Sequence, residues 1–243
     1  MRLRLTIAYD GGPYAGWQSQ PAGNAVQDFL EKAFWKVAGT RVVVHGSGRT
    51  DAGVHALGQC AHVEVSGQRD PGQWQRALNA NLPPTIRVTR LSQAAGDFHA
   101  RFSAKGKVYR YLVCNKTILP PHQFGRVFHV PQALDFGTLR RAAVLFTGRH
   151  DFGAFSANRG KAVRETVRTI RKITLSSRTG LIILTFEGDG FLYRMVRMVA
   201  AAMIRVAQNR EDLESLRARL ERAAPRWNHV APAEGLYLTR VMY

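Results

Sequence analysis

The chain is poor in acid and in cysteine. Seventeen Asp and Glu stand against thirty-five Lys and Arg, a net charge of +18 with a sequence pI near 11.0. Two cysteines, Cys60 and Cys114, form no CxxC pair, and nothing in their placement suggests a disulfide framework. Each lies in an apolar, strand-like stretch and reads as a small buried hydrophobe. No apolar run reaches membrane-spanning length, because Arg194, Arg197 and Arg205 interrupt the best candidate. The first residues, Met1 to Ile7, alternate like a strand and lack the apolar core of a secretory leader. No basic amphipathic anchor begins or ends the chain. The expectation is a soluble, cytoplasmic protein without membrane contact.

What is present is ordinary globular composition under an unusual charge. Of 243 residues, 45% are hydrophobic and 21% charged, enough to bury one large core or two small ones. A surface so basic attracts polyanions, and a nucleic acid is the expected partner. The bias toward arginine, 28 against 7 lysines, carries no functional weight, since a GC-rich genome would produce it too.

The order of elements reads twice as β-α-β-β-α-β. Leu3, Leu5 and Ile7 mark an opening strand, followed by a Gly/Pro-rich loop from Asp10 to Gly23. A helix follows, with Asn24 as the expected N-cap and Gln27 completing a capping box. Val26, Phe29, Leu30, Ala33, Phe34 and Val37 recur at helical spacing, and Gly39 stops the helix. A short strand is expected over Val42 to Val44, a returning strand over Gln59 to Val65, a helix from Asp70-Pro71, and a strand over Ile86 to Leu91. The second half offers a strand at Lys107 to Cys114 and a helix at Asp135 to Phe146. A hairpin turns about Arg178-Thr179-Gly180, helices follow at Leu192 to Gln208 and about Asp212 to Ala223, and a strand closes at Leu236 to Tyr243. The fold expected is α+β: two tandem ferredoxin-like units, residues 1–103 and 104–243, whose mainly antiparallel sheets join around a central cleft. The boundary is expected near 98–106.

The densest chemistry lies in Gly48-Arg49-Thr50-Asp51-Ala52-Gly53-Val54-His55-Ala56. An aspartate in a glycine-bounded bend can simply make an Asx-turn. Glycines at 46, 48 and 53 exceed what a bend requires and suggest close approach by a backbone or ligand. Arg49 and Thr50 put a cation and a hydroxyl beside the carboxylate, and an ionised Asp51 could serve as a nucleophile. The motif holds no second carboxylate, so the paired-acid arrangement of glycoside hydrolysis is not indicated. The turn also lacks the Lys-Ser/Thr of a phosphate-binding loop.

A zinc site is the main rival. His45, His55, Cys60 and His62 cluster in sequence, and His62-Val63-Glu64 is the H-x-E tripeptide of zinc nucleobase deaminases, but the later P-C-x-x-C is missing. Tyr109 and Tyr111 alternate with Lys107 and Arg110, either a base-stacking strand or a half-buried one with a polar face. Arg194 and Arg197, three apart, either enter a site or are solvated arginines on one helix face. A non-catalytic RNA-binding protein explains the charge and the Tyr109 strand, but not the Asp51 turn.

Together these segments resemble the tRNA pseudouridine synthase A (TruA) family over nearly the whole chain. The likeness rests on the Asp51 turn, with Tyr9-Asp10-Gly11, Tyr14-Ala15-Gly16-Trp17-Gln18, Tyr109-Arg110-Tyr111, His150-Asp151-Phe152, Met195-Val196-Arg197 and Glu234-Gly235-Leu236-Tyr237-Leu238 in order. The resemblance implies an enzyme that isomerises uridine to pseudouridine at positions 38, 39 and 40 of the tRNA anticodon arm. It implies tRNA as partner, a homodimer, and neither cofactor nor metal. It places the family's catalytic aspartate on Asp51, its base-stacking tyrosine on Tyr109 and the arginine pairing with the aspartate on Arg197. Arg49 falls where the family fills the space left by the flipped-out nucleotide.

Overall fold

Alternation in the first strand sorts its side chains. In the computed structural model, which describes residues 1–67, 69–157, 165–222 and 224–243, Leu3, Leu5 and Ile7 of β1 (Arg2–Tyr9) are fully buried. Burying each of these aliphatic side chains contributes about 1.5–3 kcal/mol. The described residues form two compact units, Met1–Lys105 with Tyr237–Tyr243, and Gly106–Leu236. Both are α+β with mainly antiparallel strands, as the expected ferredoxin-like order implies.

The first unit follows β1, α1 (Val26–Ala38), β2 (His45–Gly46), β3 (His55–Glu64), α2 (Pro71–Asn81) and β4 (Ile86–Gln93). Strand β1 lies between β3 and β4, antiparallel to both. Leu30 and Phe34 of α1 and Trp74 and Leu78 of α2 are buried, with the Phe34 and Trp74 rings 5.7 Å apart. The N-cap of α1 is Ala25, not Asn24. The Asp28 carboxylate accepts from Ala25 N at 2.8 Å, while the Asn24 amide reaches back to Pro13 O at 3.2 Å. Gly39, left-handed at φ 70°, ends the helix as expected. Asp70 caps α2 through Gly72 N and Gln73 N, with Pro71 at the first helical position.

Strand β2 forms at His45–Gly46, not at Val42 to Val44, and is only two residues long. Two strands share one edge of β3. β2 pairs antiparallel at His62 and Ala61, and β10 (Leu236–Met242) pairs in parallel at His55 and Ala56. The edge is crowded at Gly58, where a Cβ would lie 2.4 Å from Thr239 O. This pairing puts residues 237–243 with the first unit, although the sequence attaches them to the second.

The second unit runs β5 (Gly106–Cys114), β6 (Phe128–His129), α3 (Phe136–Phe146), β7 (Gly148–Asp151), β8 (Val167–Arg178), β9 (Leu181–Gly188), α4 (Met195–Ala207) and α5 (Leu213–Leu220). The antiparallel sheet has the order β5-β9-β8-β7. β6 and β7 are additions that the sequence pattern does not show, being only two and four residues long. The expected hairpin is present: Thr179 and Gly180 are both left-handed, which matches the twist of tightly joined strands. Helix α4 starts later than expected. Arg194 is its N-cap in a left-handed conformation at φ 60°, and Arg197 lies in its first turn. The expected end of the last helix, Ala223, lies outside the described residues. No helix among the described residues is long and apolar enough to cross a membrane.

On the far face of the first unit's sheet, three imidazoles gather. The rings of His45 and His62 stack at 4.9 Å, and His99 lies 4.5 Å from His62. The buried His62 accepts from Ala100 N through Nδ1 at 3.1 Å. Desolvation first, then the charges of His99, His45 and Arg2, lower its pKa from 6.5 to about 4, against an opposing contribution from Glu64. The unfolded chain therefore binds a proton at higher pH than the folded one, and stability falls as pH drops from about 6.5 toward 4. His62→Asn, which keeps an acceptor for Ala100 N but cannot titrate, should lose less Tm between pH 7 and pH 5 than the unaltered protein in thermal melts. An unchanged pH dependence would remove His62 as its source.

Candidate active site

The turn that carries Asp51 joins β2 to β3 and is fastened at several points by its own unit. Ser47 N donates to Cys60 O at 2.7 Å, continuing the β2–β3 ladder. The Gln59 side chain then takes over. Its amide donates to Gly48 O at 2.9 Å, while its oxygen accepts from Ser47 Oγ at 2.7 Å and from Cys60 N at 3.1 Å. Gln59 is 0% exposed and stands opposite Ile7 in the strand register. A buried amide must satisfy its hydrogen-bonding groups, and the turn supplies partners.

Beyond Gly48, the loop after β1 closes over the turn. Trp17 N donates to Thr50 O at 3.1 Å, and Thr50 Oγ1 shares a buried 2.8 Å hydrogen bond with the Tyr9 hydroxyl. Gly16, at φ +92°, lies so close that a Cβ would stand 2.6 Å from Thr50 O and 3.0 Å from the carbonyl carbon of Asp51. A Cβ at Gly11 would meet Val54 O at 2.1 Å, and one at Gly46 would meet the Trp17 ring at 2.5 Å. Val54 N returns to Asp51 O at 3.1 Å across the left-handed Gly53, φ +78°, and closes a tight bend. Asp51 itself is half-buried on this bend.

Arg49 is exposed, and its Nε donates to Gln18 Oε1 at 3.1 Å. Gln18 leans on Gln27 at 2.9 Å, and Gln27 on Glu31 at 2.9 Å, so helix α1 anchors the arginine through a relay of amides. Beside the turn, His55 Nδ1 lies 3.0 Å from Gly11 N and 3.2 Å from the Asp10 carboxylate, while its ring stacks on Tyr237 at 4.5 Å. Three motifs that are distant in sequence therefore interlock around one bend: Tyr9 to Gly11, Tyr14 to Gln18, and Gly48 to Ala56.

Tyr109 and Arg197 both belong to the second unit. Tyr109 is 8% exposed on β5, opposite Phe186, with Phe191 edge-on at 5.2 Å. Tyr111 is wholly buried, and its hydroxyl donates to Pro232 O at 2.8 Å. It is a core residue rather than a stacking surface. Burial raises the Tyr111 phenol well above its ordinary pKa, against the lowering effect of nearby Arg197. Arg197 sits in the first turn of α4, and its Nε donates to Ala231 O at 2.8 Å, which fixes the plane of the guanidinium. His150-Asp151-Phe152 is structural: Phe152 is core, and Asp151 accepts from Gly153 N at 2.8 Å. The zinc alternative meets a geometric obstacle, since the Nδ1 lone pair of His62 is engaged by Ala100 N–H. Among the described residues, no group of three or more His, Cys, Asp and Glu side chains could hold a metal ion.

The sequence marks Tyr9 and Gly16 as parts of motifs but assigns them no role, and it does not single out Gln59. Gln59 left the clearest trace, a polar residue in a register position the sheet otherwise fills with aliphatic side chains.

An aspartate held on a doubly anchored turn within an α+β scaffold defines a class. The family described as tRNA pseudouridine synthase matches residues 5–103 and 142–243, and the chain belongs to that family. More particularly, it is similar to the tRNA pseudouridine synthase A of Akkermansia muciniphila, 45% identical over 100% of this chain and 95% of the relative. It is also 39% identical to that of Acetivibrio thermocellus, over 99% of each chain. The protein of the same name from Solidesulfovibrio magneticus is 42% identical, over 100% of this chain and 91% of the relative.

Gly16→Ala should destabilise the protein by about 1–3 kcal/mol in chemical denaturation, because strain at positive φ adds to the clash with Thr50 O. Gly23→Ala, also left-handed at φ +64° but with nothing within 4 Å, should show the backbone strain alone, about 1 kcal/mol, and so lose less than Gly16→Ala. Equal losses would mean that contact with the Asp51 turn contributes nothing.

Proposed function

We propose that this chain isomerises uridine to pseudouridine at positions 38, 39 and 40 of the tRNA anticodon stem-loop, with Asp51 as the catalytic residue. The observation that carries the reading is the Asp51 turn. The backbone is hydrogen-bonded at Ser47, Gly48, Thr50, Asp51 and Val54, on both sides of the carboxylate, which is what a fixed reagent needs and a surface bend does not. Family membership supplies the reaction class.

The reaction breaks the bond from uracil N1 to ribose C1′ and joins C5 to the same carbon. N1 gains a proton and C5 loses one, so no water and no external group is consumed. The target base must leave its stack to expose these atoms, at a cost of a few kcal/mol. Tyr109 supplies the aromatic face for the flipped ring, with its own ring braced by Phe191. Arg197, held by Ala231 O, falls on the arginine that the family resemblance pairs with the catalytic aspartate. Arg49, on its relay of amides, takes the space the nucleotide vacates. The net charge of +18 serves phosphate contacts, so affinity for tRNA falls as salt rises. The same reading carries a homodimer working in the cytoplasm.

Asp51→Asn should lower pseudouridine formation on unmodified tRNA transcript by at least ~10³-fold, with tRNA affinity nearly unchanged. Nucleoside analysis after digestion gives the readout, and appreciable turnover in this variant would defeat the assignment. Tyr109→Phe should retain most activity, whereas Tyr109→Leu should lose about 1–3 kcal/mol of stacking. Equal turnover in the two Tyr109 variants would take this tyrosine out of the reaction.

A further inference from the structure

We propose that Tyr9 is a positioning residue for the reaction, acting through its hydrogen bond to Thr50 to fix the peptide that carries Asp51. The inference rests on the reading of Asp51 as the reagent.

Three observations carry it. The β1–β3 register slips between Ile7 and Tyr9, so Ile7 faces Gln59 while Tyr9 faces Ala56. Such irregularities re-aim a side chain at the end of a strand. The Tyr9 ring, 5% exposed, lies 6.2 Å from Trp17, whose backbone holds Thr50 O. Its hydroxyl meets Thr50 Oγ1 at 2.8 Å with both groups buried. Burial pushes the phenol far above its ordinary pKa, so Tyr9 stays neutral and its bond persists over the working pH range.

Thr50 is thus held from two sides, at its carbonyl by Trp17 and at its side chain by Tyr9. The next residue is Asp51. With the carbonyl bond alone, the peptide between Thr50 and Asp51 can rock about it. A second tether removes that freedom, and small misplacements of a reacting group are costly in rate. A tyrosine needed only to fill the core would serve as well without its hydroxyl.

The test is a double-mutant cycle on unmodified tRNA transcript, with Tyr9→Phe and Thr50→Val. Each single change should lower kcat by about tenfold, with KM moving less than about twofold. The double variant should be no slower than the worse single one, because both changes remove one bond. Thr50→Ser, which keeps the hydroxyl, should restore kcat to near its original value. Unaltered kcat in Tyr9→Phe, multiplying losses in the double variant, or a raised KM at constant kcat would each overturn the proposal. So would a lowered Tm without a change in kcat. Asp51→Asn is assayed alongside. Activity in that variant would remove the underlying reading, whereas an inactive Asp51→Asn beside a fully active Tyr9→Phe would remove the Tyr9 proposal alone.

Discussion

One buried amide holds the rest in place. Gln59 stands in a core register, fully shielded from water, and its side chain bonds to Gly48 O, Ser47 Oγ and Cys60 N. A polar group removed from water costs about 1–3 kcal/mol if left unsatisfied. The turn before Asp51 therefore cannot drift without stranding that amide inside the sheet. The constraint runs both ways: the core fixes the turn, and the turn completes the core.

The same economy of space explains the glycines. Gly11, Gly16 and Gly46 lie where a single added carbon would meet Val54 O, Thr50 O or the Trp17 ring. The loop after β1 lies against the Asp51 turn with no room for side chains between them. A loop so placed acts as a splint. Its two contacts with Thr50, from Trp17 N and Tyr9 Oη, determine how rigidly the next residue is held. Arg49 differs from its neighbours, since it is exposed and tethered through amides rather than backbone.

In the second unit, one strand separates two tyrosines that look alike in sequence. Tyr111 gives its hydroxyl to Pro232 O beneath Gly235, where a Cβ would stand 2.7 Å from the tyrosine ring. Tyr109, two residues earlier on the same face, meets the edge of Phe191 instead. The segment that accepts from Tyr111 also accepts from Arg197 through Ala231 O. Residues 231–232 thus secure both a core tyrosine and Arg197.

The sequence by itself determined the element types, the α+β class and the motif that carries the family. Periodicity and capping are local, so α2 begins at Asp70-Pro71 and the β8–β9 hairpin turns at Thr179-Gly180 as expected. Cap choice failed at Asn24 because the Gln27 side chain is taken by Gln18, Ser19 N and Glu31, whereas the Asp28 carboxylate is left to accept from Ala25 N. The strand expected at Val42 to Val44 moved to His45–Gly46 because pairing with β3, not propensity, decides where a short strand forms. Only the tertiary structure brought Tyr9, Gly16 and Gln59 onto one bend and turned Tyr111 into core. Hydrogen bonds between residues ten to forty positions apart depend on register and burial, which no local pattern encodes.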